Sequence, residues 1–510
     1  MHPRGGRPRR VRHVLAALLV TLLALVSACT SGSAPGSEPS STSSSSASSP
    51  STGPQTLRLA VYGGPEELHA YQRLADAFVR RHPDVHVVLE TAPDGRRSDR
   101  RLDREFAAGD GPDLFLTSSA ALPSLVAAGR VQPVDDLLEE RGMQFGDNYE
   151  RLGLEAMADN AALQCMPTDV SPYVVFYNKR LMNTALLPSR TIRPPVPQRN
   201  GWSWNQFTVA AAQMSRGRVK GVYLPPRLTT LAPLMRSAGG DIVDNPKRPT
   251  TLTLSPPSNR ADAEKILDVA RNQTVSLTPR ELARQSPVSR FVHGKLGMMV
   301  ATRALVPRLR RNPELSFDVF PLPSLGRSST LAEVSGLCIS QDTEHQSAAA
   351  DFIAFASSDR GAAIVTSSGG VVPANLNVLD SGAFTQTDRF PLNANVFTRA
   401  FRGASTMPDP LAWQDLVRQT QPLVNRLFYS QRTDLDELLP EIDRISAALL
   451  AEPTPSPSAS PSASPSQSPA PSAGPSGSAT PGGPASQTAG DQPRDLVRGS
   501  RHSPTRSAKP

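Results

Sequence analysis

The chain has 510 residues, of which 20% are charged and 5% are aromatic, and its formal net charge is +8. This length favours two domains or lobes over a single core. The basic excess lies at the two ends, because five arginines precede residue 13 and residues 491–510 are also basic. The stretch between them is nearly neutral, which excludes a protein that holds nucleic acid on a broad basic surface.

The start of the chain has the layout of an export signal. Residues 1–28 combine the arginines with an apolar run at 14–26, which is too short for a spanning helix. The junction Val26-Ser27-Ala28-Cys29 resembles the lipobox of bacterial lipoproteins. The resemblance implies that Cys29 is acylated and that the exported protein is lipid-anchored at the outer face of the cell membrane. An ordinary signal peptide with a chance cysteine is the alternative.

Two low-complexity segments flank the part that can fold. Residues 29–55, after the acylated cysteine, are almost entirely small and polar, and residues 453–510 begin with Pro/Ser repeats and end in a basic stretch. Such compositions bury too little apolar surface to offset the entropy of ordering, so both segments are predicted to be disordered. The basic end could touch anionic polymers or lipid headgroups, or could simply be a solvated terminus.

Strands and helices alternate through the first part of the core, which predicts a mostly parallel, doubly wound sheet. Periodicity and turn residues predict, in chain order, a strand at 57–61, a helix at 68–79, a strand at 85–89, a helix at 98–108, a strand at 113–117 and a helix near 120–128. They then predict a long strand or crossover at 170–178, a helix at 205–214, a largely helical stretch at 260–310, strands at 317–322 and 337–340, a helix at 348–356 and final helices within 408–451.

Two cysteines remain besides Cys29. Cys165 and Cys338 are far apart in the sequence, and both belong to the exported part. An oxidising location permits a disulfide between them, and two buried free thiols are the alternative. Their spacing matches no zinc motif, and no metal or other cofactor is expected.

Six segments of the core resemble, in family order, the extracellular solute-binding proteins of ABC importers, the family that includes maltose-binding protein. They are LRLAVYGGPEELHAYQRLADAFVRRHPDVHVVLE, DREFAAGDGPDLFLTSSAALPSLVAAGRVQPVDDLLEE, CMPTDVSPYVVFYNK, WSWNQF, RFVHGKLGMM and AAADFIAFASSDRGAAIVTSSGG. The resemblance implies a type II periplasmic-binding-protein-like fold, with two doubly wound α/β lobes joined by hinge strands. It also implies a monomeric, non-enzymatic receptor that binds a small-molecule solute between the lobes and delivers it to a membrane permease.

The same resemblance implies how the chain is shared between the lobes. Residues 56–168 and 314–368 are expected in the first lobe, and residues 169–313 and 369–452 in the second.

The resemblance also implies which residues face the solute. They are Tyr62, Gly63, Gly64 and Glu66 after the first strand, Ser118 and Ser119 after the third, Tyr173 at the lobe crossing, Gly239 and Gly240, Arg303, and Trp413 as an aromatic platform. Each has a structural alternative: Tyr62 and Trp413 could pack in the core, the glycines could form turns, and Ser119 could cap the next helix.

One departure concerns the kind of solute. Many sugar-binding relatives have Gly-x-Trp after the GKLGMM segment, whereas this chain has Thr302-Arg303-Ala304. An arginine there could pair with a carboxylate, phosphate or sulfate. A carbohydrate is still the first expectation from the family, with a polar or anionic solute as the variant.

Two other function classes compete with a transport receptor. A lipoprotein of the same fold could serve signalling or assembly of the cell envelope. A hydrolase finds no support, because the chain has no Gly-x-Ser-x-Gly, His-Glu-x-x-His or paired-carboxylate motif.

Overall fold

The computed structural model describes residues 54–186, 201–408, 412–431 and 434–451. The predicted signal peptide, Cys29, nearly all of the linker and the Pro/Ser-rich tail lie outside these ranges. None of the helices in the described ranges is both long and apolar enough to cross a bilayer.

The first part of the chain alternates strands and helices, as predicted. Its elements are β1 (Gln55–Tyr62), α1 (Pro65–Val79), β2 (Val85–Ala92), α2 (Gly95–Ala107), β3 (Leu114–Ser118), α3 (Leu122–Ala127), β4 (Val131–Gln132), α4 (Asp135–Glu139), α5 (Arg151–Ala156), β5 (Ala158–Asp159), β6 (Ala162–Leu163) and β7 (Cys165–Pro172).

The middle part contributes β8 (Val174–Asn178), α6 (Lys179–Leu186), α7 (Trp204–Met214), β9 (Lys220–Tyr223), α8 (Leu228–Ala238), α9 (Pro257–Arg271), α10 (Pro279–Arg284), α11 (Pro287–Val292), β10 (Leu296–Ala301), a 3-10 turn (Arg303–Leu305), α12 (Val306–Arg310) and β11 (Phe317–Phe320). Strand β10 lies inside the stretch that the sequence pattern predicts to be largely helical.

The last part contains β12 (Thr330–Ser340), α13 (Gln346–Ser357), α14 (Asp359–Thr366), α15 (Leu376–Leu379), α16 (Gly382–Thr385), α17 (Asn395–Ala400), a second 3-10 turn (Phe401–Gly403), β13 (Ala404–Ser405), α18 (Trp413–Tyr429) and α19 (Leu435–Leu450).

The larger sheet has the strand order β13-β12-β3-β1-β2, and β4 and β7 also pair with β12. Strand β1 is parallel to both β2 and β3. Strand β12 is antiparallel to β3 and β7. Helices α1, α2 and α13 bury apolar faces against this sheet, forming one continuous core. The parallel strands therefore present their carboxyl ends at one shared edge.

The smaller sheet has the order β11-β8-β10-β9. Every residue of β8 is buried, and its side chains alternate between two separate cores on opposite faces. This explains its nearly unbroken apolar sequence. Strand β8 is antiparallel to β10 and β11.

The predicted division of the chain between the lobes is wrong in two places. Residues 369–452 are predicted to lie in the second lobe, but β13 at 404–405 pairs with β12 in the larger sheet. Residues 314–368 are predicted to return to the first lobe, but β11 pairs with β8 in the smaller sheet. The return occurs in the connection from β11 to β12, since β12 is a strand of the larger sheet. A short apolar strand carries no signal of which sheet will accept it, so its partner is decided by tertiary pairing.

Cys165 and Cys338 form a disulfide that joins β7 to β12. The two cysteines are direct partners across these antiparallel strands, and both are fully buried. The disulfide is thus the correct one of the two alternatives that the sequence leaves open.

Candidate functional site: the cleft at the carboxyl edge of the larger sheet

The carboxyl ends of β1, β2 and β3 form one edge of the larger sheet, where ligands of open α/β folds usually bind. The turn from β1 into α1 contains Gly63 and Gly64. A Cβ atom on Gly63 would lie 2.4 Å from Oε2 of Glu67, so a side chain there would displace that carboxylate. The tight turn keeps Glu67 close to the backbone at the end of β1.

A cavity of about 410 Å³ opens between α2 and α3, and one residue of α18 contributes to its wall. This volume lies within the range of small-molecule sites. Its lining combines charged, polar and apolar side chains. These are Arg96, Asp99, Arg100, Leu102, Asp103, Phe106, Ala121, Ser124, Leu125, Ala128, Arg130 and Gln414.

Three of the predicted solute-facing segments lie immediately beside this cavity. The ring of Tyr62 is 3.5 Å from where a Cβ atom on Gly95 would stand, and Gly95 precedes the lining residue Arg96. Ser119 lies two residues before Ala121, and Trp413 directly precedes Gln414. The structure thus brings segments from three distant parts of the sequence to one place.

The charges of the cavity lining are mixed. Burial raises the pKa of Asp99 to about 6, and the nearby Asp103 adds to the shift. The guanidinium of Arg130 lies 5.6 Å from the ring centre of Phe106 and 3.9 Å from Asp342. Donors and acceptors next to an aromatic and several aliphatic side chains suit a solute with many hydroxyl groups.

A second polar cluster, which we call the carboxylate pair, consists of Glu67 on α1 and Asp169 on β7. Burial and, to a smaller extent, the nearby charge of Asp169 together raise the pKa of Glu67 to about 8. Burial also raises the pKa of Asp169 to about 7, although its Oδ1 accepts hydrogen bonds from Ser171 and from the backbone of Val372, each at 2.8 Å. Two protonatable acids therefore lie close together, one on α1 and one on β7.

Tyr62 is half-buried, and its hydroxyl is 2.9 Å from Oγ of Ser335 on β12. Burial raises its pKa, so the hydroxyl stays protonated as a donor or acceptor. Ser118 ends β3 opposite Ser335 in the same sheet. Ser119 donates its N–H to Val334 at 2.9 Å, and the helix that follows is not capped by any side chain, so its predicted capping role is wrong.

Glu66 forms an ion pair across the two lobes. Its two carboxylate oxygens accept bonds of 2.8 Å from Nε and Nη2 of Arg311, which follows α12. The hydrogen bonds from Arg311 lower the pKa of Glu66. Because α1 packs on the larger sheet and α12 on the smaller one, this pair, here called the clasp, ties the lobes together.

We expect Arg311→Ala to shift the solute-free protein toward an open form. Half-exposed ion pairs contribute about 0.2–1 kcal/mol, which changes a two-state population ratio by up to about fivefold. Small-angle scattering should give a larger radius of gyration for the variant. Arg308→Ala, an exposed arginine on α12, is the matched control. Equal radii for all three proteins would show that the clasp does not hold the lobes.

The side chains of the other predicted residues do not line the cavity. Tyr173 donates its hydroxyl to Glu333 at the lobe crossing. Gly239 ends α8 with a φ of +110°, and a Cβ atom on Gly240 would lie 2.2 Å from Oδ1 of Asn259. Both glycines are explained by helix termination and close packing. Trp413 is 8% exposed and packs in the core of the second lobe rather than forming an open platform.

Arg303 is fully buried, which corrects the prediction that it pairs with a solute in the cleft. Its Nε donates to the carbonyl of Gly369 at 3.1 Å, and its Nη2 donates to the carbonyl of Phe384 at 2.6 Å. Arg303 follows β10, and its side chain enters the second lobe.

Sequence patterns alone do not single out Glu67, Asp169, Arg311 or the polar face of α2. Helix α2 contains five arginines and reads as a solvated helix, while only Ser98, Leu102 and Phe106 are buried. The one available signal is its position after β2, since the first turn of a helix after a parallel strand faces the binding edge. Within the described ranges, no three His, Cys, Asp or Glu side chains are placed to hold a metal ion.

The chain matches the model of a family described as bacterial extracellular solute-binding protein over residues 73–391. It belongs to the bacterial extracellular solute-binding protein family. This membership makes it a non-enzymatic binding protein.

The maltotriose-binding protein of Pyrococcus abyssi is 27% identical to this solute-binding protein over 119 residues, which is 23% of this chain and 25% of that protein. The match thus spans about a quarter of the relative's length.

Solved structures share the two-lobed fold. An ABC substrate-binding protein from Listeria monocytogenes, in complex with cycloalternan, has a TM-score of 0.68 at 19% identity, covering 77% of this chain and 98% of that one. The GacH receptor of Streptomyces glaucescens, solved unliganded and with acarbose, has a TM-score of 0.64 at 18% identity, covering 78% and 98%. These identities establish the fold alone.

Proposed function

We propose that this protein is the substrate-binding lipoprotein of an ABC importer and that its solute is a carbohydrate or a related polar molecule. The observation that carries the proposal is the cavity between α2, α3 and α18, because it joins the carboxyl edge of the larger sheet to a residue of the other lobe. A solute bound there would touch both lobes and so favour their closed arrangement.

The chemistry of the cavity supports a hydroxyl-rich solute. Arg96 and Arg100 supply donors, Asp99 and Asp103 supply acceptors, and Phe106 supplies an aromatic edge. Each sugar hydroxyl both donates and accepts a hydrogen bond, so it can pair with either charge sign. The oligosaccharide complexes of the structural relatives agree with this class of solute.

The test is a thermal-shift and calorimetric panel of maltotriose, cycloalternan, acarbose and anionic sugars such as glucuronate. A true solute raises the melting temperature by several degrees, because it binds only the folded state. Flat responses across the panel would contradict the proposal and favour an envelope or signalling role.

We expect Ser124→Trp to weaken binding at least tenfold, because the indole would fill the cavity. Ala127→Trp is the matched control, since Ala127 is exposed on the same helix but does not line the cavity. Calorimetric titration of the solute found in the panel measures both. Equal loss in both variants would show that the solute binds elsewhere or that α3 is disturbed.

The membrane anchor is a separate part of the proposal. Acylation of Cys29 would anchor the receptor in the membrane that holds its permease. The linker would then be a flexible tether with an end-to-end distance on the order of 25–30 Å. We expect Cys29→Ser to abolish palmitate labelling and to release the protein from the membrane fraction. Retention of the label in the variant would contradict the anchor without affecting the solute proposal.

A further inference from the structure

Two arginines of the second lobe lie on either side of Gly369, where the chain crosses between the lobes. Nε of Arg303 donates to the carbonyl of Gly369 at 3.1 Å. A Cβ atom on Gly369 would lie 2.5 Å from Nη1 of Arg310, and its φ is +84°. A substitution at this glycine would therefore be both strained and blocked by a guanidinium.

Each of these guanidiniums has one buried nitrogen without a hydrogen-bond partner among the described residues. In Arg303 this atom is Nη1, and in Arg310 it is Nη2. The other nitrogens are occupied by neutral oxygens: Arg303 donates to Gly369 and Phe384, and Arg310 donates to Phe390 and Gln386. Native structures rarely leave buried donors unpaired, so two on neighbouring cations need an explanation.

No carboxylate neutralises this pair directly. Within the described ranges, neither arginine is within ion-pair distance of an Asp or Glu side chain. The acids that act on them from farther away are Asp169 for Arg303 and Asp388 for Arg310, while Arg389 adds positive charge. Burying cations without a partner is costly, because each loses its hydration.

The surroundings hold the two side chains in place. The guanidinium of Arg303 lies 4.1 Å from the ring centre of Phe384 and 5.5 Å from that of Phe397. Arg310 as a residue is half-buried, but its Nη2 atom and Nη1 of Arg303 are both covered by protein. Each guanidinium thus keeps one terminal nitrogen, with its two N–H donors, free of protein acceptors among the described residues, and such planar donors suit an anion.

We propose that Arg303 and Arg310 form a binding site for a small inorganic anion at the hinge of this protein. The anion accepts hydrogen bonds from Nη1 of Arg303 and Nη2 of Arg310 and offsets the repulsion between the two positive charges. The anion would lie beside residues 369–372. The backbone N–H of Val372 at the end of this segment donates to Oδ1 of Asp169 in the first lobe. Binding therefore stabilises the folded second lobe at the point where it meets the crossing. The proposal does not depend on which solute the cleft takes.

The test compares the melting temperature of the whole exported protein in gluconate with that in chloride, phosphate or sulfate at equal ionic strength. We expect at least one of the small anions to raise the melting temperature by about 1–3 °C in a saturable way. A shift of this size is expected when the anion concentration is well above the Kd of the site. Arg310→Gln should reduce the shift by at least two thirds, whereas Arg308→Gln, exposed on the same helix, should keep it.

Crystals soaked in bromide give a second readout, which does not depend on how Arg310→Gln folds. Anomalous peaks beside the Arg303 and Arg310 guanidiniums would support the site and distinguish a halide from an oxyanion. Two results would overturn the proposal: equal melting temperatures in all anions with no bromide beside the two arginines, or an anion effect that Arg310→Gln leaves intact.

Discussion

Replacing both Cys165 and Cys338 with alanine should lower the free energy of unfolding by about 2–5 kcal/mol, the largest stability change that we expect from any pair of positions. The disulfide closes a loop between residues 173 positions apart in sequence, so its loss greatly enlarges the unfolded ensemble. It also joins β7, which leads out of the larger sheet, to β12, which returns to it. Denaturant unfolding monitored by circular dichroism measures the change.

The control for this prediction is the wild-type protein unfolded with reductant present. Reduced wild type and the double alanine variant should then have similar stabilities, differing only by the packing of two small buried side chains. A difference of several kcal/mol that persists under reducing conditions would assign the loss to packing rather than to the cross-link.

Glu67→Gln should make the protein more stable than wild type at pH 8 by about 1–2 kcal/mol, while the two proteins should be equally stable near pH 4. The pKa of Glu67 is raised to about 8 in the folded protein, whereas an unfolded glutamate titrates near 4.3. Between these values the folded state binds more protons, so wild-type stability falls as the pH rises. Glutamine keeps the shape and removes this penalty.

The neighbouring glutamate supplies the matched control with the opposite sign. The pKa of Glu66 is lowered by Arg311, so its contribution is present above the unfolded pKa and is lost as the pH falls. Glu66→Gln should thus be no more stable than wild type at pH 8. Denaturation midpoints measured from pH 4 to pH 8 test both variants. Parallel profiles for Glu67→Gln and wild type would show that Glu67 titrates normally.

The carboxylate pair also bears on the cleft. Glu67 and Asp169 titrate near neutral pH, so the charge of this pair changes over the range in which an exported protein works. The clasp contains the adjacent residue, Glu66. Because the pKa of Glu66 is lowered, Glu66 stays ionised near neutral pH and the clasp is not expected to open there. A change of pH near neutrality should therefore alter the charge of the carboxylate pair without breaking the clasp between the lobes.

The sequence alone was enough to predict the local elements of the first lobe. The strand at 57–61, the helix that follows and the strand at 85–89 agree with β1, α1 and β2. The physical reason is that period-2 and period-3.6 apolar patterns are strong where each element buries one face on a sheet. The six ordered segments identified the family, which the match over residues 73–391 confirms.

The tertiary structure alone decided which strands pair and where side chains point. Strand β11 joined the smaller sheet, Arg303 turned inward between Gly369 and Phe384, and Trp413 packed in a core. Residues more than 200 positions apart in the sequence, such as Glu66 and Arg311, met only because two lobes face each other. Such contacts depend on how whole helices and strands are placed relative to one another. The local apolar pattern of each segment does not determine that placement, so the contacts cannot be predicted from it.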